Sequence, residues 1–398
     1  MSAARPPEGA RAVAEGKPVN TSPDIVSFMQ YIGRIQFGYG ALALIGSELQ
    51  ALKVQRPLIM TDKGVVAAGI LQKVLDALAD AKGIELPAPF TGCPPEPTEA
   101  AALEALVLYR EHRCDGIIAV GGGAVIDLAK ATALLCTHPG PLGLYSTATG
   151  GSGKIGNNVA PVVSVPTTAG TGSEIGRGAG VALGASGIKA IFLSVNLVPK
   201  VAICDPGLTL TLPARMTAGS GIDALGHCLE AYLSPAINPP VDAIALDGIA
   251  RIAKNLDLAV HEPGNRDARW NTMMGAIEGG MCFWKGLGLA HALSIPLDVH
   301  GLHHGTLIGM LLPSALRFAR PVAAQRFEAL DAIFGERIED GLAALNKRIG
   351  LPPDLSGLGV PRDALQGIAA EAAASVFNTT SPRRGSAEDY LQMLHDVY

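Results

Sequence analysis

The stretch of the chain best suited to metal chemistry is "GIDALGH", in which Asp223 and His227 lie four residues apart. Side chains at that spacing share one face of a helix, about one turn apart. Further on, "HALSIPLDVHGLHH" holds four histidines, which are His291, His300, His303 and His304. A lone histidine on an apolar face is more often a core residue than a ligand. A carboxylate–histidine pair together with a histidine cluster favours a metal site instead.

The types of these side chains indicate which ion they would hold. Three imidazoles and one carboxylate suit a borderline divalent ion such as Fe(II) or Zn(II), with a position left for a substrate oxygen. The helical pair does not form the HExxH motif of zinc proteases. Spacing alone does not distinguish His303 from His304 as the further ligand.

A glycine-rich turn predicts a second kind of site. In "VGGGAVIDLAK", three glycines (121–123) follow a predicted strand and open a helix. Backbone N–H groups can there approach a diphosphate at a helix N-terminus. The pattern is neither GxGxxG nor a P-loop. A tight turn, with Asp127 as a favourable charge in the first helical turn, explains it equally well.

A second polar loop shifts the balance towards a nucleotide. "PTTAGTGSE" offers four hydroxyl groups, those of Thr167, Thr168, Thr171 and Ser173. A helix-capping cluster is the simpler interpretation of this loop, but two such loops on one sheet favour a bound nucleotide. Asp62, at the end of an early strand, is placed to accept from an adenosine ribose and to repel a 2′-phosphate, which favours NAD over NADP.

The elements that position these residues follow from periodicity. Short apolar runs alternate with helical stretches up to Pro206, and helical periodicity alone continues from there to the C-terminus. This pattern predicts a parallel α/β sheet with ligands at the carboxyl ends of its strands, followed by an all-helical domain. We predict a flexible tail over residues 1–24, an α/β dinucleotide-binding domain over 25–205 and an all-helical metal-binding domain over 206–398.

Bulk composition restricts the class of protein. The chain has 398 residues, 48% hydrophobic and 17% charged, with a formal net charge of −5. It contains no apolar run of the ~18–20 residues that a membrane span needs, no apolar signal-peptide core and no basic block. Nucleic acid and membrane are therefore not expected partners. Six cysteines without CxxC spacing are typical of reduced thiols in a cytoplasmic protein.

Several motifs in one order resemble a known family. They are "TDKG", "GGGAVIDLAK", "PTTAGTGSE", "DPGLTLTLP", "AGSGIDALGHCLEAYLSP", "GLGLAHAL" and "HHGTLIGMLLP". With them the chain resembles the iron-containing (group III) alcohol dehydrogenases, which share the dehydroquinate synthase-like fold. The resemblance implies a Rossmann-like NAD(P)-binding domain and a helical domain that holds the metal. The ligands that it implies are Asp223, His227, His291 and His304.

The resemblance also implies contacts to the cofactor. Together with the loops above, it predicts a dinucleotide site formed by Asp62, Gly122, Gly123, Ala124, Asp127, Thr167, Thr168, Thr171, Ser173 and Lys189. Two positions depart from the family's pattern. Ile295 stands where many members have a second active-site histidine, for which His300 or His303 is a speculative substitute. Glu96 stands where the family often has asparagine.

The reaction that the resemblance implies is hydride transfer between an alcohol and the nicotinamide, assisted by the metal. Arg177 and Lys285 are cations close to the family's motifs, and Phe283 is a candidate apolar wall. Pairing with nearby acids is the simpler interpretation of each cation. Together they favour a short ω-hydroxy acid, such as 4-hydroxybutyrate, as the substrate. A homodimer is expected because dimers are common among relatives.

Three alternatives remain open from the sequence. A dehydroquinate synthase-like lyase would use NAD as an internal redox carrier, but it would need many polar groups for a polyhydroxy phosphate. A maleylacetate reductase-like oxidoreductase would share the cofactors and differ in substrate. A non-catalytic metal- or nucleotide-binding protein of the same fold is the third.

Overall fold

The computed structural model of the protein describes residues 33–184 and 188–398. The predicted tail over residues 1–24 lies outside the described part. The described residues form two compact units, which divide between Leu212 and Pro213. Within these described ranges, no helix is long and apolar enough to cross a membrane.

The division lies a few residues beyond the predicted boundary between residues 205 and 206. The Asp205 carboxylate explains this position, because its Oδ2 accepts hydrogen bonds from the backbone N–H groups of Gly40 (3.0 Å) and Leu42 (3.3 Å). These bonds attach the segment after the last strand to the beginning of the first unit.

The first unit is built on strands, and several of them are followed by the loops that contain the predicted cofactor contacts. The strands are β1 (Arg34–Phe37), β2 (Pro57–Met60), β3 (Gly116–Gly121), β4 (Val162–Pro166), β5 (Gly178–Leu183), β6 (Ile188–Leu193) and β7 (Val201–Cys204). Five of them form one sheet in the order β1-β7-β4-β3-β2, with every pair parallel. The predicted parallel α/β sheet is confirmed. The segments after β2, β3 and β4 therefore leave the sheet at the same edge.

Two apolar cores cover the faces of this sheet. The helices of the unit are α1 (Ile45–Ala51), α2 (Lys63–Ala67), α3 (Ile70–Leu78), α4 (Glu99–Glu111) and α5 (Gly123–Thr137). Alternate residues of a strand point to opposite faces. Ile118 and Val120 accordingly join the core with α1 and α3, and Ile117 and Ala119 join the core with α4 and α5. Burial on both faces explains the continuous apolar run of β3.

Strands β5 and β6 pair antiparallel in a separate two-stranded sheet. This hairpin brings Lys189 opposite Ala182 in the strand register. The sequence analysis placed no hairpin here, because short strands with many small residues give a weak alternation signal.

The second unit contains helices and turns and no strand from Pro213 to Tyr398, as predicted. Its helices are α6 (Ala214–Leu233), α7 (Pro239–His261), α8 (Arg266–Cys282), α9 (Leu289–Leu297), α10 (His304–Ala319), α11 (Ala324–Phe334), α12 (Ile338–Arg348), α13 (Leu365–Ala374) and α14 (Ala387–His395).

Helix α6 is the centre of this unit, since every residue from Thr217 to Leu233 is buried. Glycines allow neighbouring helices to approach it closely. A Cβ atom on Gly305, in the first turn of α10, would overlap the carbonyl oxygen of Gly219 on α6. A Cβ on Gly226 would lie 2.6 Å from Cγ2 of Ile308. The beginning of α10 is thus held directly against the part of α6 that carries Asp223 and His227.

Candidate active site

Three helices of the second unit bring the predicted metal ligands together. Asp223 and His227 are one turn apart on α6, His291 is the third residue of α9, and His304 is the first residue of α10. Asp223, His227 and His291 are buried, and their ligand atoms all lie within 4.8 Å of one another. The His304 side chain is 32% exposed, so it occupies the open side of the group.

The distances within this group suit a metal ion. Asp223 Oδ1 lies 3.4 Å from Nε2 of His227, 3.6 Å from Nε2 of His291 and 3.7 Å from Nε2 of His304. These separations are too long for good hydrogen bonds. Metal–ligand bonds of about 2.0–2.2 Å in tetrahedral geometry separate the ligand atoms by about 3.3–3.6 Å. The observed spacing therefore accommodates one divalent ion.

Buried polar atoms support the same interpretation. Asp223 Oδ1 and His291 Nε2, which face each other, are buried and make no hydrogen bond within the described part of the chain. Burial lowers the pKa of His227 to about 4, so this imidazole is neutral at physiological pH. Burial alone would raise the pKa of Asp223, but the surrounding histidines hold it below its usual range. A neutral imidazole and an ionised carboxylate are the forms that bind metals.

A further carboxylate, Glu230, was missed by the sequence analysis. Its Oε2 lies 2.5 Å from Nδ1 of His291, and its oxygens accept hydrogen bonds from the N–H groups of Gly288 and Ala290, both at 2.7 Å. Nδ1 of His291 is thereby engaged, and Nε2 faces Asp223. Burial alone would lower the pKa of His291, but Glu230 and Asp223 raise it to about 9. The available signal was the position of Glu230, which is two turns after Asp223 on the same helix.

The structure distinguishes His303 from His304. His303 is the N-cap of α10, and its Nδ1 accepts a hydrogen bond from the N–H of Thr306 at 3.4 Å. Its ring lies against Gly219, where a Cβ would be 2.6 Å from Nδ1. His303 therefore holds the beginning of the helix, whereas Nε2 of His304 faces Asp223.

Two aromatic rings flank the histidines. The ring of Phe283, a predicted substrate contact, stands edge-on to His227 at a centroid distance of 4.7 Å. The ring of Phe377, which the sequence analysis did not single out, stands edge-on to His291 at 6.3 Å. Both rings present apolar surface beside the candidate ligands.

The predicted substrate contact of Lys285 is not supported by its surroundings. The residue is 2% exposed, and its ammonium forms an ion pair with Asp242. Arg326 shares the same carboxylate at 3.2 Å and donates to the carbonyl of Tyr232 at 2.5 Å. Because the charge of this buried cation is already paired with the half-buried Asp242, we propose a structural role for Lys285 in place of the substrate contact.

The other residues of the substrate hypothesis lie as follows. Arg177 is half-buried in the first unit, directly before β5, and burial lowers its pKa. Ile295 is half-buried on α9, one turn after His291. His300 ends the short 3₁₀ turn Asp298–His300 that follows α9.

The two predicted cofactor loops meet in the first unit. Gly122 caps the N-terminus of α5 with an extended backbone, at φ −78° and ψ −170°. A Cβ on Gly122 would lie 3.3 Å from Cγ2 of Thr168, and a Cβ on Gly123 would lie 2.5 Å from Cγ2 of Thr171. Gly122, Gly123 and Ala124 are half-buried. Helix α5 thus begins at glycines that are only half-buried, and backbone N–H groups at such a helix N-terminus can bind a diphosphate.

Asp127 and Ser173 have internal partners. Asp127 Oδ1 accepts from the hydroxyl of Ser173 at 2.5 Å, and Oδ2 accepts from the N–H of Gly180 at 2.8 Å. Fully buried Lys130, which the sequence analysis missed, donates to Ser173 Oγ at 2.9 Å and to two backbone carbonyls. These bonds join α5 to the second loop. Asp127 and Ser173 thereby help to position this loop, and their contact with the cofactor stays a prediction.

The remaining cofactor candidates lie in the same unit, Asp62 and Thr167 after strands of the five-stranded sheet and Lys189 on β6 of the separate hairpin. Asp62 is the N-cap of α2, and its Oδ1 accepts from the N–H of Val65 at 2.8 Å, which leaves its second oxygen for other partners. Thr167 directly follows β4, and its N–H donates to the carbonyl of Gly121 at 3.0 Å. Lys189 forms an ion pair with Glu96 at 3.0 Å.

Comparisons with known proteins match both units of the chain. A model for iron-containing alcohol dehydrogenases matches residues 33–206, and a model for the C-terminal part of the Fe-containing alcohol dehydrogenase family matches residues 217–398. The 4-hydroxybutyrate dehydrogenase of Cupriavidus necator is 43% identical over 93% of this chain and 99% of its own length.

Two solved structures extend the comparison. A crystal structure of 1,3-propanediol oxidoreductase superposes with a TM-score of 0.89 at 31% identity and covers 93% of this chain and 100% of that one. A sulfoacetaldehyde reductase from Bifidobacterium kashiwanohense, in complex with NAD⁺, superposes with a TM-score of 0.85 at 27% identity, over 94% and 99% of the two chains.

The chain belongs to the iron-containing alcohol dehydrogenase family. It is therefore an oxidoreductase that uses a divalent metal and a nicotinamide dinucleotide, more particularly a metal-dependent, NAD(P)-linked alcohol dehydrogenase and aldehyde reductase. This assignment favours the dehydrogenase over the lyase and the non-catalytic protein that the sequence left open.

Proposed function

We propose that this enzyme interconverts a short ω-hydroxy acid and its semialdehyde, with 4-hydroxybutyrate and succinic semialdehyde as the representative pair. The observation that carries the proposal is the 43% identity, over nearly the full length of both chains, to a protein named 4-hydroxybutyrate dehydrogenase. The proposed metal ligands and the proposed dinucleotide loops include the groups that such a reaction requires.

The proposed ligands are Asp223, His227, His291 and His304. When bound, a divalent ion supplies Lewis acidity towards the substrate oxygen, and the nicotinamide exchanges a hydride with the carbon that bears it. Asp223 supplies the anionic ligand, and the more exposed His304 borders the position for the substrate. Fe(II) is the proposed ion, which the name of the family supports, and the three imidazoles and one carboxylate also suit Zn(II).

The neighbouring side chains orient the proposed ligands and exclude water from them. Glu230 accepts from His291 and from two backbone N–H groups, which fixes the orientation of that imidazole. The rings of Phe283 and Phe377 cover His227 and His291 from the side and exclude water from them.

In the first unit, the proposed cofactor contacts are the backbone of Gly122, Gly123 and Ala124 and the residues Thr167, Thr168, Thr171 and Lys189. The carboxylate of Asp62 is proposed to favour NAD, because a 2′-phosphate placed beside it would be repelled. A homodimer and a cytoplasmic location complete the proposal. Dimers are common among members of the family, which supports a homodimer. The absence of CxxC spacing supports a cytoplasmic location.

Arg177 is the proposed partner of the substrate's carboxylate. It is one of the two cations of the substrate hypothesis, and it directly precedes β5 in the unit that holds the proposed cofactor loops. A charge-assisted hydrogen bond contributes ~1.5–3 kcal/mol. Removal of the Arg177 guanidinium should therefore lower kcat/KM for a charged aldehyde by roughly ten- to a hundredfold.

The test compares succinic semialdehyde with butyraldehyde. We expect the wild-type enzyme to prefer succinic semialdehyde, and Arg177→Ala to lose most of that preference. Arg110→Ala, an exposed arginine of α4, serves as the control and should change nothing. A wild-type preference for butyraldehyde would overturn the ω-hydroxy acid proposal. An unchanged ratio in Arg177→Ala would overturn only the role of that residue.

A further inference from the structure

The segment between α9 and α10 carries an acidic residue beside the most exposed of the proposed ligands. Asp298 lies directly after the end of α9, and its side chain is 12% exposed. Its Oδ1 lies 3.6 Å from Nδ1 of His304. Both atoms are buried, and Nδ1 of His304 makes no hydrogen bond within the described ranges.

His304 thus has a carboxylate on each side of its ring. Nε2 faces Asp223 Oδ1 at 3.7 Å, and Nδ1 faces Asp298 Oδ1 at 3.6 Å. His291 has the same arrangement, with Asp223 Oδ1 at 3.6 Å from Nε2 and Glu230 Oε2 at 2.5 Å from Nδ1. In each ring, Nε2 faces Asp223 and Nδ1 faces a second carboxylate, which is Asp298 for His304 and Glu230 for His291.

We propose that Asp298 is a positioning residue for the metal site: its carboxylate accepts a hydrogen bond from Nδ1–H of His304 and so holds Nε2 as the ligand atom. A separation of 3.6 Å closes to a hydrogen bond with a small rotation of either side chain. A carboxylate on the second nitrogen of a ligating histidine fixes its tautomer and orientation and makes it a better donor to the metal.

The exposure of His304 explains why this ligand needs support. Its side chain is 32% exposed, whereas those of His227 and His291 are 5% and 2% exposed and are held by packing. An imidazole at the open side can rotate and direct either nitrogen at the metal. Asp298 removes this freedom, because the orientation that directs Nδ1 towards the metal would break its hydrogen bond.

The inference rests on the proposed metal site, and the experiment separates the two. Metal-free full-length protein is titrated with Co(II), whose visible spectrum reports coordination geometry, and affinity is measured by competition with a chelator. The variants are Asp298→Ala, which removes the acceptor, Asp298→Asn, which keeps a weaker neutral acceptor, and Asp298→Glu. Asp363→Asn, at an exposed position of the same unit, is the control.

We expect Asp298→Ala to weaken Co(II) binding by roughly ten- to a hundredfold, with a changed spectrum. Asp298→Asn should give an intermediate loss, and Asp298→Glu should restore part of the affinity. The affinity for NADH should stay unchanged in all variants. If Asp298→Ala does not fold, the Asn and Glu variants carry the comparison.

Wild-type affinity and spectrum in the Ala and Asn variants would overturn the role of Asp298. Wild-type protein that binds no Co(II), or a His304→Ala variant with wild-type affinity, would overturn the proposed metal site itself.

Discussion

Two buried carboxylates on helix α6, Asp223 and Glu230, have different surroundings and hence different chemistry. Asp223 Oδ1 faces three imidazole nitrogens at 3.4–3.7 Å and makes no hydrogen bond within the described residues. Glu230 accepts from one imidazole and from two backbone N–H groups. Asp223 therefore has an oxygen that can bind a cation, whereas the oxygens of Glu230 already accept hydrogen bonds from the protein. At the scale of the residue, the partners of a side chain decide its role more than its type does.

The neighbouring histidines provide the first test at this scale. We expect His304→Ala to lower metal content and to abolish most activity, because Nε2 of His304 faces Asp223. His303→Ala should retain the metal, and its free energy of unfolding should fall only by the contribution of a helix cap, about 0.5–2 kcal/mol. Metal content by elemental analysis and turnover of both variants check this. The reverse pattern would mean that His303 is the ligand.

The second test concerns cofactor choice. Asp62→Asn removes the negative charge and keeps a good N-cap for α2, because asparagine caps helices about as well as aspartate. We expect the ratio of kcat/KM for NAD to that for NADP to fall, with little change in melting temperature. Asp62→Ala, which also removes the cap, should in addition lower the stability. An unchanged ratio in the Asn variant would place the discrimination at another residue.

At the scale of the element, glycines at the contacts between helices determine the spacing of the proposed metal ligands. Helices α6 and α10 approach closely because Gly219 and Gly305 lack side chains at their contact. The N-terminus of α10 carries His304, so the separation of the two helices determines the separation of His304 from Asp223.

Gly305→Ala tests this contact. The new methyl group would overlap the carbonyl of Gly219, so the helices must separate. We expect a destabilisation of ~1–3 kcal/mol, as for other overpacked sites, together with weaker metal binding. Gly367→Ala on α13 is the control, since a Cβ there meets nothing within 4 Å. It should stabilise the protein by about 0.5–1 kcal/mol. Equal stability of the two variants in urea unfolding would contradict the prediction.

The contact between helices α7 and α8 also depends on pH. Glu278 on α8 lies beside Asp247 on α7, and burial, followed by that carboxylate, raises the pKa of Glu278 from its ordinary value of 4.5 to about 8. Because the folded value is the higher one, the contribution of Glu278 to stability is full below pH 4.5 and is lost as the pH rises to about 8.

Glu278→Gln should remove this dependence. We expect its unfolding free energy to fall less steeply between pH 5 and 8 than that of the wild type, by up to ~1.4 kcal/mol per pH unit. Glu371→Gln, at an exposed position of α13, should keep the wild-type slope. Urea unfolding at three pH values measures the difference. Parallel slopes for Glu278→Gln and wild type would show that Glu278 is ionised in the folded protein.

At the scale of the whole molecule, the binding elements that we propose for the two cofactors belong to different units. The proposed metal ligands all lie in the helical unit from Pro213 onward, and the dinucleotide loops all lie in the unit that ends at Leu212. The hydrogen bonds that hold each set stay within its own unit, such as Glu230 to His291 and Asp127 to Ser173.

This separation predicts that one cofactor can be lost without the other. We expect His227→Ala to bind no more than a trace of metal and to have no measurable turnover. Its affinity for NADH, measured by fluorescence titration, should stay within about twofold of the wild type, because the loops proposed to bind NADH contain none of the proposed metal ligands. Loss of NADH binding in a folded His227→Ala protein would contradict this independence.

Much of the architecture was readable from local sequence. Buried strands such as β3 have continuous apolar runs, and the helical domain lacks such runs, so the parallel sheet and the change to helices follow from periodicity. The pair Asp223 and His227 is separated by one helical turn, and a spacing within one element needs no tertiary information. The order of the motifs was sufficient to indicate the family.

The tertiary structure decided which distant side chains meet. Glu230 contacts His291 across 61 residues of chain, and Lys285 contacts Asp242 across 43. Periodicity says which face of a helix is buried but not which residue of another helix lies against it. Lys285 was for that reason assigned to the substrate, and Glu230 was overlooked. The chemistry of a buried charge depends on its nearest opposite charge, and only the packing of the helices determines that neighbour.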